Sequence, residues 1–179
     1  MRLIIFCLLA LSAGAARADG YWEYGSWRVT VQEMDTGEDL RRTCSAATGG
    51  DGAPSAVISV SNGDAGPPDY FPVVLIREQA VRHHQTVLQD GQPVYIRFDD
   101  EDVMDGVIAG FVDDEGFANA EIAFDHPQSQ WVLRAMRKNG QFDVVVNGEV
   151  FMYVFLDGFT AAYLRMAEEC GFTGAGVID

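Results

Sequence analysis

Short segments of alternating apolar and polar residues constrain the fold of this chain more than any other feature. Early in the chain, Trp27, Val29 and Val31 alternate with polar residues. A period of two residues places such side chains on one face of an extended strand. Comparable segments recur up to residue 156, and turn-forming pairs such as Asn62-Gly63 separate them. The pattern predicts a mainly β fold whose strands pair in antiparallel hairpins.

The predicted strands are short and numerous. They cover residues 27–32, 40–46, 56–60, 71–77, 94–98, 107–112, 118–124, 131–137, 142–146 and 150–156. Turn sequences at 113–116, 138–141 and 147–148 predict hairpins between the strands that flank them. Residues 150–156 are apolar on both faces, which predicts a strand in the middle of the core. Residues 79–89 fit either a strand or a short helix.

The end of the chain changes from strand spacing to helix spacing. Six apolar residues follow a helical stripe, namely Phe159, Ala162, Tyr163, Met166, Ala167 and Cys170. Asp157 is predicted to cap the start of this helix, and Gly171 to end it in a left-handed conformation. About eight to ten short strands with one C-terminal helix packed against them predict an antiparallel β-sandwich or open barrel.

The N-terminus resembles a cleavable export signal. Arg2 precedes the apolar run 3–11, and small residues then lead to Ala16-Arg17-Ala18. A basic start, a short apolar run and a small-x-small site predict a Sec signal peptide over residues 1–18, cleaved after Ala18. The apolar run is about half of the ~20 residues that span a bilayer, which disfavours a membrane anchor. We therefore expect a single β-rich domain over 19–179, periplasmic or secreted, with no stable membrane insertion.

The charge of the chain limits its partners. The full sequence has a formal net charge of −15, with 27 acidic and 12 basic residues. The predicted signal peptide holds two of the basic residues and no acids, so residues 19–179 carry −17. Nucleic acid is an unfavourable partner, because phosphate binding requires concentrated Lys and Arg. The simplest interpretation of the acidity is that like-charged molecules repel one another, which favours solubility and opposes aggregation. Affinity for a cation or a basic partner is the alternative.

Two cysteines remain after the predicted signal peptide is removed. These are Cys44, in a predicted strand, and Cys170, on the stripe of the predicted helix. In an exported chain, an even pair predicts a disulfide. Such a bridge would close a loop of ~125 residues and stabilise the fold by about 4–5 kcal/mol in the chain-entropy treatment. A catalytic or metal-binding thiol is the alternative, although the sequence has no CxxC motif.

Three segments together resemble a known family. Residues 155–163 read Phe-Leu-Asp-Gly-Phe-Thr-Ala-Ala-Tyr before the helix with the second cysteine, 25–29 read Gly-Ser-Trp-Arg-Val, and 135–140 read Ala-Met-Arg-Lys-Asn-Gly. In this order they resemble the invasion-associated locus B family of exported proteins from Alphaproteobacteria. The resemblance implies a periplasmic β-sandwich without known catalytic residues or cofactors. Many members have a further cysteine where this chain has Val31, so only the long-range bridge is implied here.

Residues that could support chemistry are sparse. The chain has no GxSxG elbow and no glycine-rich phosphate loop, and His83 and His84 would point to opposite faces of a strand. One acidic run could hold Ca²⁺ with carboxylate oxygens, and it consists of Asp99, Asp100, Glu101, Asp102 and Asp105. Its spacing does not match an EF-hand loop, and solvated turn residues are the alternative explanation. Paired carboxylates of a glycoside hydrolase are a further alternative.

Aromatic residues cluster at the predicted mature N-terminus. Tyr21 and Trp22 precede the first predicted strand and could either cover one end of the sandwich or contact a partner. The sequence as a whole favours a non-catalytic exported protein that binds an unknown protein or envelope component. A calcium-binding module is the second hypothesis, and a periplasmic hydrolase is the third.

Overall fold

The computed structural model describes residues 17–35, 37–50, 52–64 and 66–178, with side chains from Gly20 onward. Most of the predicted signal peptide lies outside these residues. The first strand begins at Arg17, so the predicted cleavage after Ala18 falls two residues into it.

Two antiparallel sheets form the fold, which confirms the predicted mainly β architecture. The strands are β1 (Arg17–Tyr24), β2 (Trp27–Asp35), β3 (Leu40–Gly49), β4 (Ser55–Ser61), β5 (Val73–Gln79), β6 (Pro93–Phe98), β7 (Val103–Val107), β8 (Ala109–Val112), β9 (Ala118–Phe124), β10 (Gln141–Val146) and β11 (Glu149–Phe155). The larger sheet has the order β1-β2-β3-β4-β5-β9-β8, and the smaller has β11-β10-β6-β7. The described chain thus contains eleven strands, where about eight to ten were predicted.

The alternating pattern sets the register of the larger sheet. Val29 pairs with Ala46, Ala46 with Ile58, Ile58 with Val74 and Val74 with Phe124. All five side chains are buried, because each strand turns the same alternate positions toward the core. The smaller sheet contributes the inward residues of β6 and β10 to the same core.

Two helices complete the described fold, α1 (Gln128–Lys138) and α2 (Phe159–Cys170). The strand predicted over 131–137 is therefore wrong. One stripe of this helix is buried, formed by Val132, Leu133, Ala135 and Met136. Helical spacing brings these residues to one face, whereas strand alternation would turn some of them to the opposite face. The predicted C-terminal helix is confirmed with its buried stripe.

The start of α2 differs from the prediction. Gly158 occupies the N-cap position in a left-handed conformation, and no side chain caps the helix, so the predicted Asp157 cap is wrong. Glycine is required there because an added Cβ would collide with the Tyr24 carbonyl oxygen. Gly171 ends the helix in the left-handed region, as predicted.

Strand β11 lies at the edge of the smaller sheet, so its predicted central position is wrong. Of its seven residues only Val154 is fully buried, while Tyr153 and Phe155 are exposed. One apolar face of β11 packs on the core, and the other faces outward. In the ambiguous segment 79–89, Gln79 is the last residue of β5 and the remaining residues form a loop.

Cys44 and Cys170 form the predicted disulfide, with Cα atoms 6.1 Å apart. Cys44 is fully buried on β3, and Cys170 is the last residue of α2. The bridge therefore holds the C-terminal helix against the larger sheet. Neither described helix could cross a bilayer, because the longer one has 12 residues and a crossing takes about 20.

Candidate functional site

The outward side of the smaller sheet is the candidate site, and we call it the small-sheet face. On β6, the inward residues Val94, Ile96 and Phe98 are buried, which turns Tyr95 and Arg97 outward. The same alternation defines the rest of the face from the other three strands. Its further members are Val103, Asp105 and Val107 on β7, Gln141, Asp143 and the buried Val145 on β10, and Tyr153 and Phe155 on β11.

Four large apolar side chains are exposed on this face. Tyr153 is 58% exposed, Phe155 57%, Val107 64% and Val103 47%. The two aromatic residues lie on one edge strand and the two valines on the other. Single exposed apolar residues are normal on protein surfaces, whereas several on one sheet face indicate a contact surface.

A charged pair lies at the centre of the small-sheet face. Arg97 Nη2 donates to Asp143 Oδ2 at 2.8 Å, and this hydrogen bond raises the pKa of Arg97. Gln141 Nε2 donates to the other Asp143 oxygen at 2.7 Å. Strand register places Val103, Arg97, Asp143 and Tyr153 in one row across all four strands. The pair is thereby held in a fixed orientation between two exposed apolar side chains.

The acidic run was the predicted calcium candidate, and the structure disperses it. Among the described residues, no three His, Cys, Asp or Glu side chains come together as a metal site. Asp99 Oδ2 instead accepts the N–H groups of Gly140 at 3.0 Å and Gln141 at 2.9 Å. Asp105 lies on β7 opposite Tyr95, away from the turn that holds Asp100, Glu101 and Asp102.

Tyr21 and Trp22 were predicted as one possible contact surface, and the structure separates them. Trp22 turns toward the core side, where the Arg165 guanidinium carbon lies 4.0 Å from its ring centroid. Tyr21 is 56% exposed and donates its hydroxyl to Glu23 at 2.6 Å. Neighbouring residues of a strand point to opposite faces, so only Tyr21 is presented outward.

The three histidines are also dispersed. His83 and His84 lie exposed in the loop after β5. The His126 ring stacks on Phe71 and contacts Tyr70 at a tilt, with ring centroids 5.9 Å and 4.9 Å away, and its Nδ1 is buried with no hydrogen-bond partner among the described residues. None of these contacts places a histidine beside a nucleophile.

One surface depression of about 390 Å³ lies beside the β3–β4 loop. Its described lining includes Gly50, Ser55 and Phe117, with Arg77 as the one charged residue among them. Arg77 is already paired with Glu121 across β5 and β9. The described residues that line this depression include neither a histidine nor a carboxylate.

Sequence reasoning missed the residues of the small-sheet face. The available signal is the run 150–156, whose apolar residues on both faces also predict a buried strand. An edge strand with one face in the core and one face outward has the same pattern. Only the strand order distinguishes the two.

No protein-family model matches this chain, and neither the curated proteins nor the solved structures contain a significant match.

Proposed function

We propose that this chain is an exported, non-catalytic protein of the invasion-associated locus B type, acting through contact between its small-sheet face and a protein of the cell envelope. The observation that carries the proposal is the exposure of Tyr153, Phe155, Val103 and Val107 around the Arg97–Asp143 pair. Apolar area removed from water contributes about 25 cal/mol per Å², so covering these side chains would favour association.

The composition of the face suits a protein partner. Tyrosine, phenylalanine and arginine are enriched at the centres of protein interfaces, where their large side chains fill pockets on the partner. Arg97 is already oriented by Asp143, which reduces the side-chain entropy lost when a partner binds. Tyr153 lies beside Asp143 in the same row, so a partner could contact ring and ion pair together.

Export is supported by two separate features. The first 18 residues have the arrangement of a signal peptide. The Cys44–Cys170 bridge is of the kind that persists in oxidising compartments such as the periplasm. The resemblance of residues 155–163, 25–29 and 135–140 to the invasion-associated locus B family agrees with both features and with a β-sandwich.

Photo-crosslinking in the native envelope tests this proposal. A photo-reactive phenylalanine analogue replaces Tyr153 in one strain and Tyr21 in another. Tyr21 is the matched control, because it has the same side chain and nearly the same exposure but lies on the larger sheet. We expect a crosslink to a different envelope protein from position 153 and no crosslink to a different protein from position 21.

Specificity is checked by changing the charged pair without changing the crosslinking position. Arg97→Glu should abolish the crosslink from position 153, because it replaces the ion pair with two like charges. The same species obtained equally from both positions, or insensitive to Arg97→Glu, would show that the small-sheet face is not the contact surface. Turnover of any substrate that depends on one carboxylate would contradict the non-catalytic assignment.

A further inference from the structure

The outward side of the larger sheet is a second open surface, which we call the large-sheet face. Both helices and the smaller sheet contact the larger sheet on its inner side, where Trp27, Ile58 and Ile122 are buried. The outward side is formed by alternate residues of the same strands. Its middle consists of small or uncharged side chains, namely Thr30, Thr43, Ser45, Ala47, Val57, Ser59, Ser61, Val73, Leu75 and Ala123.

The polar groups in the middle of this face largely satisfy one another. Thr43 Oγ1 lies 2.9 Å from Ser61 Oγ, and Ser45 Oγ lies 3.2 Å from Ser59 Oγ, both across the β3–β4 pair. Burying an unpaired hydroxyl costs about 1–3 kcal/mol, whereas a hydroxyl that keeps its hydrogen bond avoids most of that cost. The large-sheet face can therefore be covered without stranding these groups.

The charge of this face differs from that of the chain as a whole. Its outward charged residues among the described side chains of the strands are three arginines and two glutamates, namely Arg28, Arg41, Arg77, Glu23 and Glu121. The full sequence has 27 acidic and 12 basic residues. Because like charges repel, a face without excess acid is the one on which a second copy could approach this acidic chain.

We infer that the large-sheet face is an interface between two copies of this chain, packed sheet on sheet. Seven strands spaced about 4.8 Å apart, each rising about 3.3 Å per residue over about six residues, form a face of about 600 Å². A standard stable interface buries about 800 Å² of accessible surface on each partner. The flat outline of the face is somewhat smaller, but its projecting side chains add accessible surface, so the face is close to the area that a dimer needs. The inference goes beyond the proposed function, because it uses the opposite side of the sandwich.

The strand order makes the face complementary to itself. β4 is the middle strand, with three strands on each side. A two-fold axis along β4 would place β2 of one copy opposite β9 of the other, since both lie two strands from the axis. Arg28 on β2 of one copy would then lie near Glu121 on β9 of the other, offset by two residues along the strands. The two-fold symmetry would form the same contact a second time. The axis itself would pass by uncharged residues such as Val57.

Sedimentation of the oxidised protein over a wide concentration series tests the inference. We expect a dimer for the unchanged chain. Val57→Arg would place two like charges beside the axis and should weaken association at least about tenfold. Val107→Arg is the matched control, because it adds the same charge to an outward valine of the smaller sheet and should leave the dimer intact.

Two further measurements fix the geometry. Arg28→Glu and Glu121→Arg should each weaken the dimer, and the double variant should restore it, because each new Glu would face a new Arg. A photo-reactive phenylalanine analogue at Leu75 should crosslink two copies, whereas one at Tyr153 should not. A monomer at all concentrations would overturn the inference. The same conclusion follows if Leu75 gives no crosslinked dimer, whether or not Val57→Arg folds.

Discussion

The indole Nε1 of Trp27 donates a hydrogen bond of 3.0 Å to the carbonyl oxygen of Phe155, 128 residues further along the chain. Trp27 is the first residue of β2 in the larger sheet, and Phe155 is the last residue of the edge strand β11 in the smaller sheet. The bond joins the two sheets just before α2 begins. It also covers an outward carbonyl on an edge strand, which would otherwise invite pairing with another chain.

Trp27→Phe should therefore destabilise the protein by more than the loss of buried apolar area alone implies. The substitution removes the donor and leaves the Phe155 carbonyl without its partner, which together with the lost volume should cost about 2–3 kcal/mol. Chemical denaturation measures the change. Trp131→Phe is the control, because Trp131 packs edge-on against Phe98 as Trp27 does against Phe159, but its indole donates no hydrogen bond to the described residues. Equal losses for the two variants would contradict the role of the bond.

Removing the disulfide should cost a large share of the stability. Cys44→Ala combined with Cys170→Ala opens a bridge between residues 126 apart in sequence. We expect a loss of about 2–5 kcal/mol, because the unfolded chain regains the freedom that the bridge removes. The free energy of unfolding of the double variant should match that of the reduced unchanged protein. A change below about 1 kcal/mol would show that α2 is held mainly by its packing on the sheet.

Tyr163→Phe should leave the protein as stable or make it more stable. Tyr163 is fully buried, burial raises its pKa far above the usual range, and its hydroxyl has no hydrogen-bond partner among the described residues. An unpaired buried hydroxyl costs about 1–3 kcal/mol, and phenylalanine keeps the ring contacts with Phe159 and Phe172. Thermal and urea unfolding measure the effect. A loss of about 1 kcal/mol or more would reveal a partner for the hydroxyl.

The Asp113 carboxylate should make the β8–β9 hairpin sensitive to acid. It accepts backbone N–H groups of Phe117 at 2.9 Å and Glu115 at 3.1 Å and the Asn119 amide at 3.1 Å, and these bonds hold its pKa below the ordinary value of 3.8. The unfolded chain therefore takes up the proton first. The stabilisation is complete above pH 3.8 and is lost as the pH falls through the lowered pKa.

Asp113→Asn provides the measurement, since the amide keeps an acceptor oxygen and does not titrate. The unchanged protein should be more stable than Asp113→Asn at neutral pH, and this difference should shrink below pH 3.8. Urea unfolding of both proteins at neutral pH and below pH 3.8 gives the difference in their free energies of unfolding at each pH. A difference that stays constant with pH would mean that the carboxylate has the same pKa in the folded and unfolded chains.

Asp99 should act as a structural hydrogen-bond acceptor whether or not Ca²⁺ is present. Its bonds to the N–H groups of Gly140 and Gln141 join the turn after β6 to the start of β10. Asp99→Ala should cost about 1 kcal/mol, because the site is exposed to water. Asp102→Ala is the control, since that carboxylate makes no hydrogen bond in the described structure.

Calorimetry with Ca²⁺ decides the alternative. We expect no binding heat and no rise in melting temperature for the unchanged protein or either variant. Calcium-dependent stabilisation that disappears in both Asp99→Ala and Asp102→Ala would instead support a cation site in this run.

Local patterns were sufficient for much of the fold. The period of two in β2 and β4 and the helical stripe from Phe159 to Cys170 are confirmed, because burial on one face requires the same spacing in any tertiary context. Residues 131–137 show the limit of this reasoning. Five of these seven residues are apolar, so either a strand or a helix could bury them. In the structure they form part of α1, and the local pattern alone does not distinguish the two.

The sequence by itself determined the mainly β class, the buried face of most strands, the C-terminal helix and the disulfide between Cys44 and Cys170. These properties depend on spacing along the chain and on the chemistry of two thiols. Only the tertiary structure decided which strands lie at sheet edges. That choice exposed Tyr153 and Phe155. The tertiary structure also dispersed the acidic run from Asp99 to Asp105. Strand order depends on contacts between residues distant in sequence, and no local pattern encodes those contacts.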